Sequence, residues 1–327
     1  MADRHLFVRN RWLLIALFTG SFALSAGCSV LVKRATNQAS LIPISWPLKQ
    51  PNVNTNALEI KLFMSQKERV HKEVSDKIAA LEKVRRFNIP LPVPFKGKTI
   101  HEIEMKSEAK TTTKSELSKQ KKDTASRYPI ALTFDDGPLP QMTSKVLDVL
   151  KKNKIKATFF VVGKQVEQHP NLLIQIVNDG HAVGNHTWSH EYFQYSTSAA
   201  QSEIDKTSTL VYNLTGVKIS LFRPPAGILT NGLVSYANQN NYATVMWSVD
   251  AKDWRYYRHS PQALIDSVLQ EAKPGGIILL HDGGGDRSTT IEALPKIITE
   301  LKKRGYDFVT VPELLAIADK KTKESKD

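Results

Sequence analysis

The sequence predicts an α/β fold in which helices cover a parallel sheet. Three observations predict it. Strand-like and helix-like segments alternate from Tyr128 onward, and the strands are apolar along their length rather than at every second residue. The ionisable residues gather just past the strand ends, where parallel α/β proteins build their sites. Seven βα repeats of this kind lie either open or closed into a barrel, and the pattern alone permits both.

The first strand, 129–134, runs into Thr133-Phe134-Asp135-Asp136-Gly137-Pro138, where Gly-Pro stops it. A helix over 143–152 leads to a β-branched and aromatic strand over 157–162. Helix 172–178 is followed by Gly180, a residue suited to the left-handed position past a helix end, and then by strand 181–185. Helix 199–214 stops at Gly216 ahead of a strand at 219–222. Thr230 stands where it can cap a helix reaching Asn240. Strand 243–247, helix 261–272 and the aliphatic strand 276–280 follow. Helix 291–304, ended by Gly305, leads to strand 308–311 and a last helix over 313–318, leaving 319–327 as a disordered basic tail.

The formal net charge of +13 suggests a nucleic-acid partner until it is located. Between Tyr128 and Ala316 basic and acidic residues balance, so the surplus belongs to the leader, linker and tail. Nucleic-acid binders carry a basic patch on the folded module, and none is evident here. No obligate protein partner is evident either.

The single cysteine excludes an intramolecular disulfide. Arg4, Arg9 and Arg11 precede an uncharged apolar stretch from Trp12, which reaches Ser25-Ala26-Gly27-Cys28; this is the layout of a secretory signal. Cys28 after Ala-Gly resembles the lipobox of bacterial lipoproteins, which implies cleavage after residue 27 and acylation of Cys28. It departs from that pattern at Ser25, where a large aliphatic residue is usual. The competing readings are simple secretion or an uncleaved anchor, since the uncharged run extends to Val32, about the 20 residues a membrane helix needs. All three place the protein in the cell envelope, outside the cytoplasm, and Ser29 after the cysteine favours the outer membrane by analogy with lipoprotein sorting. Residues 28–127 read as a spacer. It holds an amphipathic helix near 58–87, an extended Pro-rich segment at 89–94, and a disordered linker rich in Lys, Glu, Ser and Thr over 106–126.

Asp135 and Asp136 follow the first strand, His186 and His190 the third, Arg223 the fourth, Asp250 and Asp253 the fifth, and His281 with Asp282 the sixth. His186 and His190 are the one i, i+4 pair among nine histidines, a spacing at which one turn or tight loop aims both imidazoles at a point. With one carboxylate from a neighbouring strand end they make a two-His, one-carboxylate metal site. The adjacent aspartates also have a plain reading, since Asp-Gly-Pro is common turn chemistry.

Thr133–Pro138, His186–His190, Arg223-Pro224-Pro225-Ala226-Gly227, Asp250-Ala251-Lys252-Asp253-Trp254 and Leu279-Leu280-His281-Asp282 resemble the five ordered motifs of the polysaccharide deacetylases, the NodB-homology or carbohydrate esterase 4 family. The resemblance covers about 128–318. It implies a distorted (β/α)7 barrel and a hydrolase that removes N-acetyl groups from a polysaccharide, with peptidoglycan first among the candidates. It further implies that Asp136, His186 and His190 hold a divalent metal, usually zinc, and that Asp135 is the general base, oriented by Arg223. His281 becomes the general acid, kept cationic by Asp253. Trp254 and Leu279 wall the acetyl pocket, and a backbone N–H near Ala226 meets the oxyanion. Ala226 departs from the bulky residue usual there, which bears on the polymer bound. Chitin-like oligomers, exopolysaccharide and acetylxylan are the alternative substrates. A non-catalytic glycan-binding lipoprotein is the alternative of another class; the presence of every catalytic position, Asp135 and His281 included, argues against it, and a phosphatase of the haloacid dehalogenase type would need Asp-x-Asp.

Overall fold

The computed structural model describes residues 29–33, 39–43, six positions between Lys61 and Lys72, 88–105, 128–255 and 260–325. The expected leader, Cys28, most of the 58–87 helix and the 106–126 linker lie outside the described residues; the six positions between Lys61 and Lys72 are helical. Among the described residues no helix is long and apolar enough to cross a membrane.

The chain divides into two compact units, 1–83 and 84–327. In the first, β1 (Ser29–Lys33) pairs antiparallel with β2 (Ala39–Pro43), Leu31 opposite Leu41. This hairpin falls in what the sequence was expected to use as spacer.

The second unit is built on a parallel sheet. Its strands are β3 (Thr99–Ile100), β4 (Tyr128–Asp135), β5 (Thr158–Val161), β6 (Ala182–Asn185), β7 (Leu221–Phe222), β8 (Ala243–Val245), β9 (Val249–Asp250), β10 (Ile277–His281) and β11 (Tyr306–Val309). They run in the order β3-β8-β7-β6-β5-β4-β10-β9, with β11 pairing the first half of β4. The single stretch 243–250 carries both β8, paired with β7, and β9, paired with β10. One short segment thus supplies the last strand at one end of the order and the strand next to β3 at the other, and the sheet curls into the expected distorted barrel.

The helices are α1 (Pro140–Asn153), α2 (Gly163–Gln168), α3 (Pro170–Asn178), α4 (Thr197–Thr215), α5 (Leu233–Gln239), α6 (Pro261–Glu271), α7 (Ser288–Lys303) and α8 (Val311–Glu324). Most match their expected positions to within a few residues. The start of α5 does not: Gly232, in the left-handed region at φ 95°, stands at its N-cap, and Thr230 lies outside the helix. The 89–94 segment, expected to be extended, gives way to a 3-10 turn at Val93–Phe95. The tail expected to be disordered from 319 is helical to Glu324. Thr310 and Glu313 form a capping box at the start of α8, and Lys323–Asp319 and Lys320–Glu324 pair one turn apart near its end.

A larger correction concerns the spacer. Its 88–105 segment belongs to the barrel unit, where β3 pairs with β8 and Ile103 N–H donates to Gly275 O. The reason is hydrophobic: Ile100 and Ile103 are buried with Leu221, Val245 and Ile277.

Strand alternation sorts the barrel into two cores. Ile130, Leu132 and Phe134 of β4 face the helices, joined by Phe159 and Val161 of β5 and Ile278 and Leu280 of β10. Ala131 and Ile277 face inward, where Val311, Leu314 and Leu315 of α8 pack with them at one end of the interior. The register pairs Ile277 with Ala131, Leu279 with Thr133 and His281 with Asp135. Inward positions therefore pass from apolar residues to the two ionisable ones at the C-terminal ends of neighbouring strands.

Candidate active site

Asp135 ends β4 pointing inward, and a regular strand would turn Asp136 the opposite way. It does not, because Asp136 adopts φ 75°, in the left-handed region that Asp tolerates better than most residues. Both carboxylates thereby reach the barrel mouth. The turn is tightly made: a side chain at Gly137 would collide with the Asp282 carboxylate, and one at Gly283 with the Asp136 backbone.

The histidine pair comes from the loop after β6 rather than from a helical turn. Thr187 and His190 have φ values of 67° and 60°. Asn185 Oδ1 accepts from Thr187 N–H at 2.8 Å, and the Glu203 carboxylate of α4 accepts from Trp188 N–H, Ser189 N–H and Ser189 Oγ at 2.8–2.9 Å. His186 Nδ1 is bound to Arg223 O at 2.7 Å, which leaves Nε2 facing the cavity. His186 Nε2 lies 3.4 Å and His190 Nε2 3.0 Å from Asp136 Oδ1.

Asp136, His186 and His190 thus offer three ligand atoms within 4.8 Å of one another. Burial alone would push the Asp136 carboxyl up, but the two imidazoles hold it well below the usual carboxylate range. Asp136 Oδ1 is buried facing the Nε2 atoms of both imidazoles, the convergence of lone pairs that a shared cation would draw on. Two nitrogens and one carboxylate oxygen are a donor set suited to zinc and to other first-row divalent ions.

Two ion pairs flank this triad. Asp135 Oδ1 receives Arg223 Nη1 at 2.8 Å, while its Oδ2 stands 3.8 Å from His186 Nε2. Arg223 is fully buried and well partnered, donating to Val245 O, Met246 O and Thr133 Oγ1 and lying over the Phe160 ring. On the other side, His281 Nδ1 lies 2.7 Å from Asp253 Oδ1. Asp253 Oδ2 also accepts from His281 N–H and Thr290 Oγ1, each at 2.9 Å. Burial would lower the His281 pKa, but the Asp253 carboxylate raises it from the ordinary 6.5 to about 9.

Every site residue expected from the sequence within the described part of the chain converges here. A cavity of about 480 Å³ is lined by Asp135, Asp136, His186, His190, Ala226, Trp254, Leu279 and His281. Leu279 is buried, Trp254 is half exposed, and Ala226 adopts φ 52° in the turn after β7. Asp250 lines the cavity too, and its Oδ1 accepts from Lys252 N–H in a local turn.

Several participants gave no signal in the sequence. Trp247 and Arg287 line the cavity; Arg287 donates to Gly283 O, Gly284 O and Asp253 O, tying the loop after β10 together. Asp282, by contrast, was marked in the sequence at the end of its strand; it is buried against Thr143 Oγ1 at 2.6 Å, and its N–H donates to Asp135 O. Burial pushes its carboxyl up to about 7, Asp136 and Asp135 add to the effect, and the Thr143 hydroxyl opposes it. Glu203, through three hydrogen bonds, and Thr290, through one, act from helices, and only the folded chain reveals them.

A parallel α/β barrel that brings three candidate metal ligands and two separate ion pairs to one mouth is built like the barrels that hold a single metal ion. The comparisons say which. Residues 122–245 match the family described as polysaccharide deacetylase, and the chain belongs to that family. It is 43% identical over 188 residues to a peptidoglycan-N-acetylglucosamine deacetylase of Bacillus cereus, covering 57% of this chain and 87% of that one. It is 38% identical over 189 residues to the peptidoglycan-N-acetylmuramic acid deacetylase PdaA of Bacillus subtilis, covering 57% and 71%. The crystal structure of a carbohydrate esterase 4 pseudoenzyme from Bacillus anthracis is similar with TM-score 0.53 and 32% identity, covering 58% of this chain and 66% of that one.

Proposed function

We propose that this protein is a divalent-metal-dependent hydrolase removing N-acetyl groups from N-acetylhexosamine residues of an envelope polysaccharide, peptidoglycan above all. The observation that carries the reading is a pair of opposite groups at neighbouring strand ends lining the cavity: a carboxylate backed by a buried guanidinium, and an imidazolium backed by a buried carboxylate. Amide hydrolysis needs both, a base to take a proton from the attacking water and an acid to protonate the departing amine.

Asp136, His186 and His190 would hold the cation, with zinc the metal that best fits these donors. Such a cation supplies Lewis acidity toward the acetamide carbonyl and lowers the pKa of its water. Asp135, oriented by Arg223, accepts the proton through the oxygen not engaged by the guanidinium. His281, cationic at neutral pH, gives its proton to the amine nitrogen as the C–N bond breaks. Arg223 and Asp253 are the positioning partners. A backbone N–H near Ala226 steadies the carbonyl oxygen, and Leu279 and Trp254 enclose the acetyl methyl.

Peptidoglycan is favoured because both named relatives act on it and because the leader is composed for export. Anchoring through an acylated Cys28, as in an outer-membrane lipoprotein, completes the reading. Cys28→Ser should release the protein from membranes, and firm retention would point to the uncleaved helix. Similarity to a pseudoenzyme favours a second reading, a glycan binder without turnover. Acetate release by the full chain from peptidoglycan, chito-oligosaccharides and acetylxylan, assayed side by side with added zinc, separates the two. Release from peptidoglycan supports the proposal; no release from any of the three supports the binder.

A further inference from the structure

We propose that the glycan lies across the barrel mouth between two aromatic lips, and that a shelf made by Tyr192 and Phe193 binds the sugar ring next to the one being deacetylated. The inference rests on the glycan-deacetylase reading and adds to it a requirement for chain length.

Large apolar side chains left open to water call for an explanation when they gather at a site. Tyr192 and Phe193 are 56% and 57% exposed, and Trp254 is 49% exposed. Tyr192 and Trp254 line the cavity, and Phe193 is the next residue in the chain after Tyr192. The two lips belong to opposite sides of the barrel. Tyr192 and Phe193 follow β6, Trp254 follows β9, and β5, β4 and β10 lie between those strands in the sheet. The metal triad and both ion pairs come largely from these intervening strand ends and from β6, so a chain reaching from one lip to the other crosses them.

The shelf is built, not loose. Phe193 stacks on Tyr195 with ring centroids 4.4 Å apart and planes 29° apart. Tyr195 is buried, and its hydroxyl donates to Glu191 O at 3.1 Å, closing the loop on itself. Its N–H donates to Asn231 O at 2.9 Å, which clamps the loop to the segment after β7. There Gly232 at φ 95° passes so close to Tyr195 O that any side chain would collide. The inner edge of the shelf touches the triad, since the Tyr192 ring meets His190 edge-on at 5.3 Å and its hydroxyl lies 3.3 Å from His190 Nδ1.

A pyranose ring has an apolar C–H face and a polar rim, the match for an open aromatic face bordered by water. Phe193 is three residues past His190, so their Cα atoms are at most ~10 Å apart. That span admits the ring next to the one under attack. Continuity with the cavity selects a sugar as the occupant over a second protein chain.

The test uses chito-oligosaccharides of one to five rings with the zinc-loaded full chain, wild type against Phe193→Ala and Phe193→Trp. Wild-type kcat/KM should rise with chain length. Phe193→Ala should lose about tenfold on the pentamer, the worth of one stacked ring, with a smaller loss on the monosaccharide. Phe193→Trp should restore it. A length dependence identical in wild type and Phe193→Ala overturns the shelf. Calorimetric binding of the pentamer to the metal-free protein keeps the inference separate from turnover. About tenfold weaker binding by Phe193→Ala supports the shelf even if no acetate is released, and equal binding overturns it even if the protein is an active deacetylase.

Discussion

Asp135–Arg223 and Asp253–His281 are two buried ion pairs on adjoining stretches of one barrel mouth, and they are built in opposite senses. In the first the cation is fully buried among carbonyls while the carboxylate reaches the cavity. In the second the carboxylate is buried, held by a backbone N–H and Thr290, and the imidazole reaches the cavity. The exposed member decides the chemistry. A carboxylate facing substrate takes a proton, and an imidazolium facing substrate gives one. The buried member fixes orientation and charge. Two pairs of opposite sense beside one candidate cation site give the proposed hydrolase its base and its acid.

Breaking the first pair at its cavity end should have the largest effect. Asp135→Asn should lower turnover by on the order of 10²–10⁴-fold with metal content unchanged, measured by acetate release and elemental analysis. Loss of the metal instead would mean that Asp135 is the ligand and Asp136 the base. Breaking it at the buried end should cost stability. Arg223→Met leaves the Asp135 carboxylate buried without its partner, about 3–5 kcal/mol by urea denaturation. A loss well under 1 kcal/mol would show that Thr133 and the surrounding carbonyls hold the site unaided. The smallest effect is expected behind the second pair. Thr290→Val removes one of three donors to Asp253 and should cost about 1 kcal/mol with a few-fold fall in kcat.

The parts of the molecule readable from sequence are those written in local pattern. Apolar strands, helix stops at Gly180, Gly216 and Gly305, and ionisable residues at strand ends gave the barrel and the members of both ion pairs. The i, i+4 histidines marked the cation site, although their spacing serves a loop with two left-handed residues and not a helical turn. What could not be read depends on contacts far apart in the chain. β3 is two residues long and is separated from β4 by the 106–127 segment, so its partner β8 was not foreseeable. Glu203, Thr290 and Arg287 are ordinary helix and loop residues until the fold brings them to the histidine loop and to Asp253. The exposure of Tyr192 and Phe193 is likewise a property of the folded surface. His181 shows the converse: it is buried, accepts from Ala157 N–H at 3.1 Å, and burial lowers its pKa to about 4, so it serves the core and not the site.

In the proposed mechanism Asp253 keeps His281 cationic as the acid, and the pH profile reads that role out. The folded pKa of His281 is raised to about 9 from 6.5, so the imidazolium and the stability it contributes are fully present below about 6.5 and are lost as pH rises through about 9. For the wild-type protein, kcat/KM on peptidoglycan should fall on its alkaline side near pH 9. In Asp253→Asn that limb should move down by two units or more, with zinc content unchanged. An alkaline limb that stays near pH 9 in the variant would contradict the assignment of Asp253 and His281 as the proton-donating pair.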